Sequence, residues 1–193
     1  EGFSSGVGVR LPLLRTVTGR RVLSLAPFAE VGRVSWKGDH ASPGKRTLSS
    51  LGTGLAPGAH GIAGYSFWYP PARQVLQTLR WPAGIDGLDV QPQLTYFERL
   101  ERAGVRTATI APAHFSGSGL SVAALRGPAF LPVTDEADHA RRVELAVQAA
   151  SAGERTLGYF YERQLDHAGH ESGVGSGSWL RELGRVDALV AQL

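Results

Sequence analysis

The feature that most constrains the fold is the alternation of helix patterns with short β-rich runs from residue 94 onward. Thr95–Glu98 forms a capping box, which predicts a helix running to about Ala103. A strand is predicted over 105–111, a second helix over 135–150 and a second strand over 156–161. The alternation of helices and strands with short connections favours parallel strands, so the sequence predicts an α/β fold built on a mainly parallel sheet.

The second helix and the second strand carry further expectations. Asp135 and Glu136 are expected at the start of the helix, where its dipole favours anions. The strand 156–161 is apolar and aromatic, which predicts a central position in the sheet. A polar, glycine-rich loop is predicted over 162–178, and a last helix from Trp179. The helical pattern places Ala140, Val143, Val147 and Ala150 on one apolar face of the second helix.

Composition indicates one globular domain. The 193 residues are 42% apolar and 19% charged, and no run approaches the ~18 apolar residues of a membrane span. Cysteine is absent, which excludes disulfides, thiolate metal sites and a cysteine nucleophile; any metal must be held by His, Asp or Glu. The first six residues show no secretion-signal pattern, so a cytoplasmic location is the expectation.

Residues 1–47 differ from the rest in charge and patterning. They hold eight Lys or Arg against three Asp or Glu, whereas residues 48–193 hold twelve against fourteen. Short strands are conceivable at Val22–Leu25 and Val31–Trp36, but periodic apolar positions are few. We therefore expect this segment to pack less well than the rest. Its basic residues are scattered, so a nucleic-acid partner is not expected.

The segment Gln164–Gly173 contains the most informative chemistry. Asp166 and His170 lie four residues apart just past a predicted strand, and offer one carboxylate oxygen and one imidazole nitrogen. That pairing suits Zn²⁺ or a similar divalent ion. Gly169 and Gly173 are expected to let the backbone bend so that both side chains converge. From the spacing alone, a solvated polar loop remains the alternative.

The order of strand, D-x-x-G-H-x-x-G motif, Gly-Ser, Trp and helix resembles the type I phosphodiesterase/nucleotide pyrophosphatase family of the alkaline phosphatase superfamily. The resemblance implies a three-layer, alkaline-phosphatase-like core and a metal-dependent hydrolase of phosphodiesters or pyrophosphates such as nucleotides. It also implies that Asp166 and His170 bind one of two zinc ions in the intact family site. It gives His167 no role, so His167 is taken as a loop residue.

Two further stretches carry the same resemblance. Thr53–Tyr65 is similar to the family's T-G-x-x-P-x-x-H-G-I-x-G-Y pattern, in which His60 is not a metal ligand. We expect His60 to be a hydrogen-bonded structural histidine. Leu94–Pro112, followed by Gly117–Leu120, matches as well. The resemblance covers residues 48–193, which we interpret as a partial phosphodiesterase domain preceded by an atypical segment.

The chain also departs from the family pattern. The family begins with a strand ending in V-D-G, but Val22–Pro27 has no Asp. The position of the attacking threonine is occupied by Gly44, which has no hydroxyl, and Thr47 lies about one helical turn further on. A D-H-G motif and a later histidine would fall beyond Leu193. The resemblance thus implies an incomplete active site in a fragment or diverged copy. The alternative is an inactive fragment that serves at most as a weak metal-binding or interaction module.

Two other motifs are weaker candidates. Ser116–Gly119 superficially suggests a serine nucleophile elbow but lacks the G-x-S-x-G frame. Gly173–Gly177 suggests a nucleotide-binding loop but lacks the G-x-G-x-x-G spacing.

Overall fold

The computed structural model describes residues 48–193 with their side chains and, by backbone alone, residues 16–18, 21–23 and 43–47. No helix in these parts of the chain has the length and apolar character needed to cross a membrane. The strands are β1 (Thr16–Thr18), β2 (Arg21–Leu23), β3 (Ser66–Tyr69), β4 (Gln74–Gln77), β5 (Arg106–Pro112), β6 (Ala129–Val133) and β7 (Thr156–Phe160). The helices are α1 (Pro43–Thr53), α2 (Pro57–His60), α3 (Gly87–Val90), α4 (Tyr96–Arg102), α5 (Gly119–Leu125), α6 (His139–Ala150), α7 (Gln164–Ser172) and α8 (Gly177–Val190).

A three-stranded parallel sheet with the order β6–β5–β7 forms the centre of the fold. Thr109 of β5 pairs with Phe130 of β6 on one side and with Tyr159 of β7 on the other. Every residue of β5 except Arg106 is buried, as expected for a strand covered on both faces. The predicted parallel pairing of the strands near 105–111 and 156–161 is confirmed.

The prediction that the second of these strands is central is wrong within the described sheet. β5 is the central strand, and β7 lies at an edge with Leu157 43% exposed. The aromatic character of β7 instead reflects Tyr159 and Phe160, which pack on opposite faces near its carboxyl end. The sequence prediction missed β6 because this strand contains Pro132. Proline weakens a strand pattern but is tolerated at a sheet edge.

Helices cover the two faces of the sheet and so form the expected three layers. On one face, Leu145 and Ala149 of α6 pack against Ala108 and Ile110 of β5. On the other face, the ring of Phe97 from α4 meets Tyr159 edge-on, with ring centroids 6.3 Å apart. The mixed α/β fold predicted from the sequence is therefore present.

The apolar face that helical spacing indicates for α6 is not the face that the structure buries. The helix begins at His139 after the N-cap Asp138, so Asp135 and Glu136 precede it. Its buried residues are Arg142, Leu145 and Ala149, while Val147 is 58% exposed. The buried stripe of α6 includes an arginine, whereas apolar periodicity points to a neighbouring stripe of apolar residues only. The four residues of the predicted face, Ala140, Val143, Val147 and Ala150, are exposed or only half-buried.

The capping box at the start of α4 is confirmed. Thr95 Oγ1 accepts from the Glu98 amide at 3.1 Å, and the Glu98 carboxylate accepts from the Thr95 amide at 2.8 Å. Gly104 follows the helix with φ +77°, as a C-terminal glycine should. Arg126, from the end of α5, reaches Glu98 at 3.2 Å and also donates to the Gln91 carbonyl, which anchors α4 to the helix before β6.

A second core lies beneath α1, α5 and the antiparallel β3–β4 hairpin. Phe67 and Leu76 from the hairpin pack with Ile62, and α1 crosses α5 where Gly52 approaches Ala124. A Cβ on Gly52 would overlap the Ala124 carbonyl oxygen, so the crossing requires glycine. The buried members of this core are Ile62, Phe67, Leu76, Leu120, Ala123 and Ala124.

Most of the predictions for residues 1–47 fall outside the described residues. The strand expected at Val22–Leu25 corresponds in part to β2, which pairs antiparallel with β1. The run Val31–Trp36 and the packing of the segment as a whole lie outside the described residues.

Replacing Gly52 with alanine should lower the free energy of unfolding by about 1–3 kcal/mol, because the added methyl group forces apart two helices that meet through backbone. Gly184 in α8 is the matched control, since a Cβ there has no atom within 4 Å. Gly184→Ala should raise stability by roughly 0.5–1 kcal/mol through helix propensity. Urea unfolding of both variants measures the two effects; a neutral Gly52→Ala change would contradict the close crossing.

Candidate metal centre at the carboxyl edge of the sheet

The carboxyl ends of the three parallel strands meet at one edge of the sheet. β5 leads into the turn Ala113–Phe115, β6 into residues 134–138, and β7 into Tyr161, Glu162 and Arg163 before α7 begins. In open α/β sheets, ligands bind beyond this edge. The residues delivered there from β7 and α7 include both predicted metal ligands.

Asp166 and His170 lie on helix α7, so the prediction of a loop over 162–178 is wrong for residues 164–172. The segment contains no proline, and Gly169 is helical, packing beside Trp179 of α8 instead of bending the chain. Gly173, with φ +86°, does turn the backbone, and it ends the helix. Helical geometry places residues four apart on one face. The helix, and not a bend at Gly169 and Gly173, therefore makes the two side chains converge.

The helix brings the predicted pair together. His170 Nε2 lies 3.6 Å from Asp166 Oδ1, and the two side chains are 79% and 73% exposed. Carboxylate and imidazole are both open to solvent and to an incoming ion. Their role as metal ligands remains a prediction.

A second pair of the same type lies beside the first. His167 Nε2 is 3.2 Å from Glu171 Oε1, again four residues apart on α7 and again exposed. His167 was predicted to be a loop residue, but it is helical and ion-paired when protonated. Because the family motif does not include this pair, it provides an internal comparison for the first.

The donor chemistry of Asp166 and His170 fits a divalent ion in kind, since zinc accepts both carboxylate oxygen and imidazole nitrogen. Among the described residues, however, no group of three or more His, Cys, Asp or Glu side chains is arranged to hold a metal. The described residues therefore bring only two candidate ligands together, whereas a tetrahedral zinc shell needs four.

The connection between β7 and α7 is held by buried charge. Arg142 is 3% exposed and pairs with Glu162, while its Nη1 donates to the Glu136 carbonyl at 3.1 Å. Its Nε has no partner among the described residues. Arg163 Nε donates to both carboxylate oxygens of Glu136, at 2.8 and 3.1 Å. Sequence reasoning missed this network, because nothing in the spacing marks Arg142 as buried.

Tyr161 lies between the sheet and this connection. Burial raises the pKa of its phenol, and the negative charge of Asp166 raises that pKa further. Its ring meets Phe115 edge-on at 5.8 Å and stacks with Tyr159 at 6.4 Å. The carboxyl edge thus carries aromatic groups as well as the carboxylate and imidazole.

His60 has the structural role expected from the sequence. It is 1% exposed; its Nδ1 accepts from the Ile62 amide at 3.1 Å, and its Nε2 lies 3.1 Å from Ser50 Oγ. Because Nδ1 accepts, the neutral ring carries its proton on Nε2 and donates it to Ser50. The histidine therefore cannot take the proton of Ser50, and the pair is not a nucleophile–base pair.

The two weaker motifs have structural explanations. Ser118 is the N-cap of α5, where its Oγ accepts from the Ser121 amide at 3.3 Å. Gly173 and Gly175, with φ +86° and +84°, shape the turn between α7 and α8, and Ser176 caps α8. The positions relevant to a threonine nucleophile, Gly44 and Thr47, both lie in α1.

Comparison with known proteins agrees with this architecture. Residues 47–193 match the profile of the type I phosphodiesterase / nucleotide pyrophosphatase family. Because this match covers most of the chain, the protein belongs to that family. No curated protein sequence matches the chain.

The fold is similar to that of solved structures of ectonucleotide pyrophosphatase / phosphodiesterase 5. An inactive variant of the murine protein, in complex with AMP, superposes with a TM-score of 0.57 at 19% identity, over 76% of this chain and 38% of that one. A second murine structure gives 0.56 at 18% identity, over 76% and 39%. The human protein gives 0.52 at 18% identity, over 76% and 38%. The chain thus spans less than two fifths of the length of these proteins.

The stability of the protein should depend on pH through His60. Burial lowers the pKa of this ring below its ordinary value of 6.5, so the folded state favours the neutral form. The contribution of the neutral ring to the free energy of unfolding is complete above about pH 6.5. It is lost as the pH falls, because the unfolded chain then binds a proton that the folded chain does not. Urea unfolding from pH 8 to pH 5 should show this loss, and His60→Gln should reduce the slope. An unchanged slope would assign the pH dependence to another group.

Proposed function

We propose that this chain carries part of the active site of a metal-dependent hydrolase of phosphodiester or pyrophosphate bonds. The observation that carries the proposal is the placement of Asp166 and His170, side by side on α7, at the carboxyl edge of the sheet in a chain of this family. The two side chains would hold one divalent ion, which is zinc in the family pattern that the motif resembles.

A divalent ion at this edge would polarise a phosphoryl oxygen and stabilise negative charge there. The chain's own contribution is a carboxylate and an imidazole presented on a rigid helix. Two ligands do not complete the tetrahedral shell of zinc, so we expect weak binding by this chain alone.

A nucleotide or other small phosphodiester is the proposed substrate class. Family membership supports it, and the related murine structure holds AMP. The aromatic groups at the carboxyl edge, Tyr161 and Phe115, are compatible with an organic ligand next to the metal pair.

The attacking group is the weakest part of the proposed site. The family position corresponds to Gly44, near the start of α1, and glycine offers no nucleophile. Thr47 lies on the next turn of the same helix. A nucleophile must approach phosphorus to within about 3–3.5 Å, and a shift of three helical residues, about 4.5 Å along the axis, moves the hydroxyl by more than that distance.

Metal binding should depend on Asp166 and His170 and not on the neighbouring pair. Competition with a chromophoric chelator measures the affinity of the 193-residue chain for Zn²⁺. His170→Ala and Asp166→Asn should each weaken Zn²⁺ binding by at least ~10-fold. Even the loss of a residue that only hydrogen-bonds to a metal ligand weakens binding by that factor. His167→Ala removes a histidine of the same exposed type from the same helix and should leave the affinity unchanged. Equal losses at both positions would mean that any His–carboxylate pair on α7 binds zinc, and would contradict the proposed site.

Turnover of a chromogenic phosphodiester by this chain, with zinc or manganese added, should be negligible, because the nucleophile position is Gly44 and the described residues do not form a complete metal shell. Steady-state hydrolysis assays measure this, with Thr47→Ala as the diagnostic variant. Robust turnover that disappears in Thr47→Ala would show that Thr47 is the nucleophile and that the family alignment is displaced by one turn.

A further inference from the structure

Helix α7 begins without a capping side chain of its own. Its N-cap residue is Arg163, whose side chain makes no capping bond. The carboxylate of Glu162 takes over this role, since its Oε1 accepts from the Gln164 amide at 2.6 Å. It satisfies one of the free amides of the first turn and places negative charge at the positive end of the helix.

Glu162 is itself fixed by a buried partner. Its second oxygen pairs with Nη2 of Arg142, which is 3% exposed. The arginine is held in turn by the Glu136 carbonyl at 3.1 Å and by the ring of Phe160, whose centroid lies 4.9 Å from the guanidinium carbon. A guanidinium bound on three sides cannot swing away, so the position of Glu162 is set from inside the core.

From this geometry we propose that Arg142 is a positioning residue for the pair Asp166 and His170, acting through Glu162. Asp166 is the third residue of α7, in the turn whose first amide Glu162 binds, and His170 follows one turn later. The chain of contacts therefore runs from the buried guanidinium through the capping carboxylate to the two side chains. The part of this inference that concerns metal rests on the proposed function above; the part that concerns the order of α7 does not.

The first experiment is free of metal. Amide hydrogen exchange of the 193-residue protein is compared for Arg142→Met and for Arg141→Met. Arg141 is the matched control, because it is the neighbouring arginine on α6 and pairs with Glu144 at 2.9 Å on the exposed surface. In Arg142→Met we expect the exchange rate in the first turns of α7 to rise by a factor at least about tenfold larger than any rise in β5. In Arg141→Met we expect neither rate to change. Arg142→Lys, which keeps a charge opposite Glu162, should restore part of the protection.

The second experiment measures Zn²⁺ affinity of the same variants. We expect a loss of about 10–100-fold for Arg142→Met, the range typical of residues that orient metal ligands, and no loss for Arg141→Met. If the unmutated protein binds no zinc at Asp166 and His170, the proposed function fails, while exchange confined to α7 still supports the positioning role. If exchange rises equally in β5 and α7, or in neither, Arg142 is a core residue without a specific effect on α7 and the proposal is overturned.

Loss of one partner of a buried ion pair can prevent folding. The double variant Arg142→Met with Glu162→Leu removes both charges together, so it leaves no buried charge uncompensated. It also removes the cap, and the same local increase in α7 exchange is expected. Protection of α7 equal to that of the unmutated protein in this double variant would overturn the proposal.

Discussion

The burial of β5 between two neighbouring strands and two helical layers is the constraint on which the rest of this structure depends. A strand covered on both faces and hydrogen-bonded along both edges has little freedom of register. Both of its partners run parallel to it, so the carboxyl ends of the three strands lie at one edge of the sheet. The helix that carries Asp166 and His170 starts from that edge. The candidate site is thus a consequence of how a seven-residue strand is packed.

The elements that could be predicted from the sequence are those whose signals are local. The capping box of Thr95 and Glu98 forms with both of its hydrogen bonds, because it involves only residues three apart. His60 is buried and doubly hydrogen-bonded, as its motif indicated. The convergence of Asp166 and His170 was also expected, although a helix and not a glycine-hinged loop produces it.

The elements that could not be predicted depend on partners distant in the chain. Arg142 is buried because Glu162, twenty residues later, supplies the opposite charge. Apolar periodicity takes no account of such a pair, so it points to a face of α6 other than the buried one. β6 contains Pro132, and only its position beside β5 shows that the proline lies at an edge. The segment of α7 is polar and so suggests a loop. The helix forms because it packs on α8 and because Glu162, which lies outside the helix, caps its first turn.

The contact between Gly169 and Trp179 has a consequence for motion at the site. The indole of Trp179 on α8 faces α7 at Gly169, where a Cβ would lie 3.4 Å from the ring. The two helices also pack against each other beyond the short turn that joins them, so a displacement of α7 would disturb α8 as well. The side chains of Asp166 and His170 are largely exposed, so they can change rotamer without moving this pair of helices.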